Sequence, residues 1–458
     1  MELDLTTGNI LSKLIKLSLP IMGTAFIQTA YNMIDMMWIG RLGSDEVAAV
    51  GTASFFPWLA MAFVMISKIG AEIKVAQSMG EKDFDKVSKF VTAALQINVV
   101  LAIIYGLFVV MFNRPLIGFF NLGDENIINM AQTYLTIIGA GMLFIFITPV
   151  FTAIFNGLGD SKTPFAINTI GLVFNIVLDP ILIFGWLGMP ALGVVGAALA
   201  TIFSQALVAI CFVIIIIIRN KRNPEAAFFS LNILTKPPME QMQIICQIGL
   251  PVALQSGLFT IFSMVLGRII AAWGAVPIAV QKVGSQIEAV SWMSASGIST
   301  ALGAFVGQNY GAGKLDRIEK GFKCSVLIAI VVGTFATILL VVFGSQVFSV
   351  FIQNEPETLL QGIDYLKIVG YSQIFMCIEI TVSGLFNGLG KTYIPSFITI
   401  IFTGMRMPLA YFWANIIGID GVWWSISLTT VVKGIIILLV YYIMKNRNKL
   451  YSLKEELV

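Results

Sequence analysis

Long apolar runs alternate with short polar turns along most of this chain. The runs fall at about 14–40, 47–72, 88–112, 126–153, 163–186, 190–218, 241–271, 276–303, 319–345, 358–386, 392–416 and 420–444. Each has the length of about twenty or more residues that a helix needs to cross a bilayer, so the pattern predicts twelve spans. Turn formers occupy the gaps, as in Gly40-Arg41-Leu42-Gly43 and Asn121-Leu122-Gly123-Asp124. The longest connection, 219–240, is polar and basic and divides the chain in two.

The two parts repeat one another. Residues 76–89, Ala76-Gln-Ser-Met-Gly80 through Asp85 to Lys89, match Gly307-Gln-Asn-Tyr-Gly311 through Asp316 to Lys320, 231 positions on. Phe155-Asn-Gly-Leu-Gly159 with Pro164 matches Phe386-Asn-Gly-Leu-Gly390 with Pro395, and Pro20 matches Pro251, in the same register. The expected fold is therefore an all-α polytopic membrane protein: twelve transmembrane helices in two pseudo-symmetric six-helix bundles with a central cavity. Residues 1–218 would form the first lobe, 219–240 a cytoplasmic linker and 241–458 the second lobe. Two such halves related by an axis along the membrane normal are a transporter architecture.

Composition agrees. Of 458 residues, 57% are hydrophobic and 12% charged, against about 25% charged in soluble domains. Twenty Lys and Arg fall in loops that lie on the N-terminal side of the membrane, and only Arg41, Arg114, Arg268 and Lys367 fall opposite. The positive-inside rule then places both termini in the cytoplasm. The net charge of +3 is small and forms no patch, which excludes a nucleic-acid partner. The four cysteines have no metal-binding or redox spacing. The chain has no His, and with no metal motif or nucleophile constellation it is not expected to be an enzyme. A passive channel is disfavoured by the duplication and by the lack of a filter-like repeat.

Charged groups inside the spans carry the candidate chemistry, because each is costly in hydrocarbon. Asn175-Ile-Val-Leu-Asp179-Pro180 puts an amide and an acid one turn apart on one helix face, and Pro180 frees carbonyls a turn earlier. Such oxygens suit Na⁺ or a proton, although Asp179 could simply bond a neighbouring helix. Asp35, with Tyr31 one turn before it, lies at a similar depth, roughly 8–9 Å below the outer surface. If Asp35 and Asp179 are close, their titrations couple. Pro20 is either a bend that responds to Asp35 or an ordinary proline near a helix start. The repeat puts Leu266 opposite Asp35, and the helix opposite Asp179 carries Arg406-Met-Pro408. Arg406 either repels a cation or ties helix-end carbonyls. Lys68 and Glu72 are expected to pair on one helix. Lys282 and Glu288 would find partners on other helices. Glu379 has no evident partner and is a candidate for substrate or proton contact. Lys433 would snorkel to the interface.

The spans, the duplication, Gln77-Ser-Met-Gly80 with Gln308-Asn-Tyr-Gly311, the two Phe-Asn-Gly-Leu-Gly motifs and Arg406-Met-Pro408 resemble the multidrug and toxic compound extrusion (MATE) family over nearly the whole chain. Asp35 and Asn175-x-x-x-Asp179-Pro180 resemble its DinF-like prokaryotic branch. The resemblance implies H⁺ or Na⁺ binding by Tyr31, Asp35, Asn175 and Asp179, with Thr201 as a further ligand, Tyr134 in the polar network and Pro20 as a bend. Phe259 stands where the NorM-like branch would have a glutamate, which argues against a second-half Na⁺ site.

The expected function is a secondary antiporter of a prokaryotic cell membrane, working as a monomer. It would export amphipathic organic cations or drugs in exchange for H⁺ or Na⁺, with no cofactor beyond the coupling ion and with membrane lipid around it. The alternative is a flippase or exporter of an amphipathic or lipid-linked metabolite. That would want a basic groove, and the sequence offers Arg406 but no cluster of arginines.

Overall fold

The structure is a computed structural model that describes residues 3–222, 236–352 and 355–451. Most of the expected linker and Lys454 lie outside the described residues. The chain runs α1 (Ile10–Gly40), α2 (Ser44–Ala53), α3 (Phe55–Glu81), α4 (Phe84–Met111), α5 (Asn113–Gly118), α6 (Glu125–Ala140), α7 (Met142–Gly157), α8 (Lys162–Phe184) and α9 (Val194–Arg222). The repeat follows as α10 (Met239–Ala271), α11 (Ala275–Gly311), α12 (Leu315–Val342), α13 (Gly344–Ser349), α14 (Pro356–Gly370), α15 (Gln373–Gly388), α16 (Tyr393–Ile417) and α17 (Ile419–Asn446).

Ten helical stretches among the described residues are long and apolar enough to span a membrane, and two bent pairs bring the number to twelve. Large apolar side chains such as Met111, Phe119 and Phe335 stand exposed, as a lipid-facing surface requires. The protein is a multi-pass integral membrane protein. Two expected spans are broken helices. α6 and α7 meet at 52° and α14 and α15 at 47°, and the breaks at Gly141 and Ser372 occupy matching positions of the repeat. At the first, a Cβ on Gly141 would lie 2.5 Å from the Ile202 side chain, so glycine allows the chain to pass.

Two compact units result: Met1–Asp4 with Leu19–Ala253, here lobe 1, and Leu5–Ser18 with Leu254–Val458, here lobe 2. The division falls inside α1 and α10, beside the repeat-related Pro20 and Pro251, rather than at the linker. In lobe 1, α3 packs on α4 and α7, and α8 on α9. In lobe 2, α11 packs on α15 and α16 on α17. The Phe-Asn-Gly-Leu-Gly motifs serve this packing. A Cβ on Gly157 would sit 2.6 Å from the Glu72 carbonyl oxygen, and one on Gly388 would sit 2.6 Å from that of Gly303. The motif glycines thus bring α7 against α3 and α15 against α11.

The polar motifs bind chain ends and helix starts. Asp83 and Asp124 accept from the backbone N–H groups of Lys86 and Asn126 and cap α4 and α6. In lobe 2 Gln308 Oε1 accepts from Leu5 N, and Arg317 donates to the carbonyls of Leu5, Thr7 and Gly8. This fixes the segment before α1, with Leu5 fully buried.

In the turn between α7 and α8, Asp160 is 3% exposed and accepts from Thr163 and from Arg219 at the end of α9. Burial works against its charge, but these donors outweigh burial and hold the carboxyl below its ordinary value. A carboxyl depressed in the folded state contributes stability above its unfolded value, and that contribution is lost as pH falls through the folded value. Asp160→Asn is therefore expected to lower the unfolding temperature of the purified protein at neutral pH, by about 2 kcal/mol in stability. The gap from the unsubstituted protein should close as pH falls below about 4, as followed by thermal unfolding across a pH series.

Candidate cation site

Four helices of lobe 1 bring the predicted residues together. α1 supplies Tyr31 and Asp35, α8 supplies Asn175 and Asp179, α9 supplies Thr201, and α6 supplies Tyr134. Asn175 Nδ2 donates to Asp179 Oδ1 at 3.1 Å, the one-turn pairing that the spacing implied. Thr201 Oγ1 donates to Asp35 Oδ2 at 3.2 Å. The Tyr31 hydroxyl donates to the Thr201 carbonyl at 3.3 Å. The Asp35 carboxyl is close enough to Asp179 and Asn175 to interact with both electrostatically, without a hydrogen bond to either. Tyr134, buried, sits beside Ser54 and close enough to feel the charge of both acids.

Asn175 and Asp179 are fully buried. Asp35 Oδ1, Asp179 Oδ2 and Asn175 Oδ1 are shut from solvent and have no hydrogen-bond partner. A buried acceptor left unmade costs about 1–3 kcal/mol. Three such oxygens in one place call for something positive between them. Two carboxylates in contact repel, so the arrangement holds together with a proton on one of them or a small cation shared by both. The oxygen-only donor set suits a hard cation such as Na⁺ and gives a softer transition metal no nitrogen or sulfur. Among the described residues no cluster of three His, Cys, Asp or Glu exists.

Some neighbours are not visible in the sequence pattern. Ser204, one turn after Thr201, places a buried hydroxyl beside that of Tyr31 without making a hydrogen bond. Trp38 lies three residues beyond Asp35, toward the end of α1. It packs edge-on against Phe184 and Trp186, with both ring centroids 6.1 Å away, and Arg41 lies over its ring. These rings follow each acid by about a turn or more along their helices. Only contacts between helices reveal them.

The intramembrane charges of lobe 2 are arranged differently. Lys433 is 6% exposed and pairs with Glu379 at 3.1 Å, so it does not snorkel, and Glu379 has the partner its sequence did not reveal. Thr399 also donates to Glu379. Arg406 donates to the hydroxyls of Thr429 and Thr430, each at 2.9 Å, rather than to helix-end carbonyls. Glu288 accepts from Tyr365 and Gln373, while Lys282 is exposed and unpaired. In lobe 1 Lys68 and Glu72 make no ion pair: their helix does not bring the charged atoms within 4 Å, although they are one turn apart.

The family model for MatE matches residues 20–181 and again 251–412, in the same register as the internal repeat. The chain belongs to the MatE family. Among curated relatives, this MatE chain is 29% identical over 421 residues to a Thermotoga maritima protein named "Probable multidrug resistance protein NorM", covering 90% of this chain and 88% of that protein. It is 24% identical over 447 residues to "Multidrug export protein MepA" of Staphylococcus haemolyticus, covering 96% and 95%. Among solved structures, a MATE protein in its bent conformation superposes with a TM-score of 0.89 at 23% identity, covering 98% of each chain. A variant of the Vibrio cholerae MATE transporter VcmN gives 0.88 at 18% identity, covering 96% and 98%. The fold expected from the repeat is the fold observed.

If Asp35 and Asp179 share one charge, neutralising either relieves the same repulsion. In Na⁺-free buffer at alkaline pH, Asp35→Asn and Asp179→Asn should each unfold at a higher temperature than the unsubstituted protein. The double variant should gain less than the sum, with a coupling of about 0.5–3 kcal/mol. Additive effects in a thermal-unfolding cycle would show that the two acids act independently.

Proposed function

We propose that this MatE chain is a secondary active multidrug exporter. H⁺ or Na⁺ moving inward through the Asp35–Asn175–Asp179–Thr201 site drives amphipathic organic cations outward by alternating access. The observation that carries the reading is the close approach of two carboxyls that each keep one buried oxygen, with that of Asn175, without any donor. The substrate class follows from relatives named as multidrug resistance and multidrug export proteins. The protein works as a monomer in a prokaryotic cell membrane, with both termini in the cytoplasm as the Lys and Arg distribution indicates.

A ligand moves a conformational equilibrium only by its differential affinity for the two states. The coupling ion meets this requirement through the three oxygens it would satisfy. Its release leaves two like charges in contact. The tie of α1 to α9, made by Thr201 to Asp35 and by Tyr31 to the Thr201 carbonyl, is then the element that must rearrange. Pro20 lies fifteen residues before Asp35 on one continuous helix. It removes a backbone donor, which makes it the place for α1 to bend.

Lobe 2 takes no coupling ion on this reading. Arg406 stands 231 positions after Asn175, and Leu266 and Ala410 stand at the positions of Asp35 and Asp179. The flippase alternative finds no basic groove, because Lys433 is occupied by Glu379 and Arg406 by threonine hydroxyls.

The test is efflux of ethidium from proteoliposomes with a pH gradient or a Na⁺ gradient imposed alone. One of the two gradients should drive efflux by the unsubstituted protein. Asp35→Asn and Asp179→Asn should each lose it while keeping their elution profile. Undiminished gradient-driven efflux in both variants would show the mechanism to be wrong.

A further inference from the structure

Glu72 is the intramembrane acid for which the coupling site has no use. It lies on α3, nine residues before the helix ends at Glu81, or about 13 Å from that end. Asp35 lies five residues before the opposite end of α1's path across the membrane. Glu72 therefore sits in the other half of lobe 1, on the cytoplasmic side of the topology proposed above. The residue is 7% exposed, and its Oε1 is buried without a partner.

No charge on the packed elements compensates it. α7 carries no charged residue, and α4 carries only Asp85, Lys86 and Lys89 in its first turns, where Lys89 pairs with Asp85 and Lys86 with Glu81 and Asp83. α2 carries Asp45 and Glu46 in its first turn, at the far end of the fold from α3's cytoplasmic half. α10 approaches α3 at Ile245, beside Gly70, and its nearest charge in sequence is Glu240. Among the described residues only Lys68, one turn back on α3 itself, acts on the Glu72 charge, and it lies beyond ion-pair distance; Lys74, two residues on, donates to Gln77 instead.

The internal repeat supplies the second observation. The position 231 residues on is Gly303, where α11 packs on α15 as α3 packs on α7. Helix packing at this place therefore does not need a side chain, still less an acid. Ser67 and Asn98, which bond one another across α3 and α4, likewise face Ile298 and Ala329 in the repeat. The inner half of lobe 1 carries polar groups that lobe 2 dispenses with. A buried acid without donor or counter-ion is stable as the neutral form.

We propose that Glu72 is a second proton-binding carboxyl of lobe 1, loaded and emptied on the cytoplasmic side during the transport cycle; this rests on the ion-driven reading above. In the unloading step the Glu72 O–H bond breaks and the proton passes to water. The carboxylate that remains is compensated by the Lys68 ammonium, which reaches it across one helical turn by changing rotamer. The Lys-before-Glu order is the weaker arrangement of such a pair, so the pair opens again when a proton returns. In the structure Lys68 and Glu72 stand apart, the arrangement that the loaded state requires.

The experiment joins infrared difference spectroscopy of the reconstituted protein with ethidium efflux from the same vesicles. Raising the pH should remove a protonated-carboxyl band from the unsubstituted protein. Part of that band should be absent from Glu72→Gln and present in Asp35→Asn, and Lys68→Met should hold it to higher pH. Glu72→Gln should slow proton-driven efflux roughly tenfold to a hundredfold, with ethidium binding unchanged. Glu72→Gly, which installs the residue of the other repeat, should do the same and covers a folding failure of the first variant. A Glu72→Gln protein that keeps the whole infrared change, or pumps like the unsubstituted one, overturns the proposal. If Asp35→Asn is inactive while Glu72→Gln is normal, this inference falls and the efflux reading stands. If Asp35→Asn pumps normally, the efflux reading falls, and the infrared band alone decides whether Glu72 exchanges a proton.

Discussion

The contact between Asp35 and Asp179 governs the rest of lobe 1. Two acids from different helices meet in a buried place where three carbonyl-type oxygens have no donor. Left without a donor, such oxygens cost stability. Thr201 and Asn175 each give an acid a single neutral hydrogen bond, and Tyr31 ties α1 to the Thr201 carbonyl, so the acids are held without being neutralised. Trp38, Phe184 and Trp186 pack together just beyond the acids. On the proposed reading, the unpartnered oxygens are where a positive charge binds.

The duplication makes this arrangement easier to interpret. Both halves keep the close glycine contacts at Gly157 and Gly388, the prolines at 20 and 251, and a buried tyrosine at 134 and 365. What differs is charge. Lobe 1 has acids and an amide where lobe 2 has Leu266, Ala410 and Arg406. Lobe 2 carries its own cations, with Lys433 on Glu379 and Arg406 near enough to act on Glu288 and Glu379. Among the described residues, the buried acids of lobe 2 have donors from its own side chains, whereas those of lobe 1 keep unpartnered oxygens. A coupled transporter built on this plan needs only one half to exchange ions with solution.

Much of the fold was legible because membrane spans are long and apolar, and because the repeat recurs in one register at several places. The breaks at Gly141 and Ser372 were not. A bend within an apolar run changes neither its length nor its hydropathy. The helix positions of Asn175 and Asp179 followed from four-residue spacing, and their hydrogen bond was implied by it. Lys68 and Glu72 have the same spacing and no ion pair, so spacing alone does not decide a side-chain contact; rotamer and surroundings do. Lys433 was misread because its place in the inner half of the last span suggested reach to the interface, whereas its partner lies 54 residues away in sequence. Ser54, Ser204 and Trp38 enter the site through contacts between helices, for which the chain carries no local signal.

The central claim is that the unsatisfied oxygens of Asp35, Asn175 and Asp179 bind one positive charge. Counting the protons and Na⁺ ions bound per molecule of purified protein, for the unsubstituted chain and for Asp35→Asn with Asp179→Asn together, tests it most directly. The account predicts that the double variant binds one fewer. An unchanged count would contradict it.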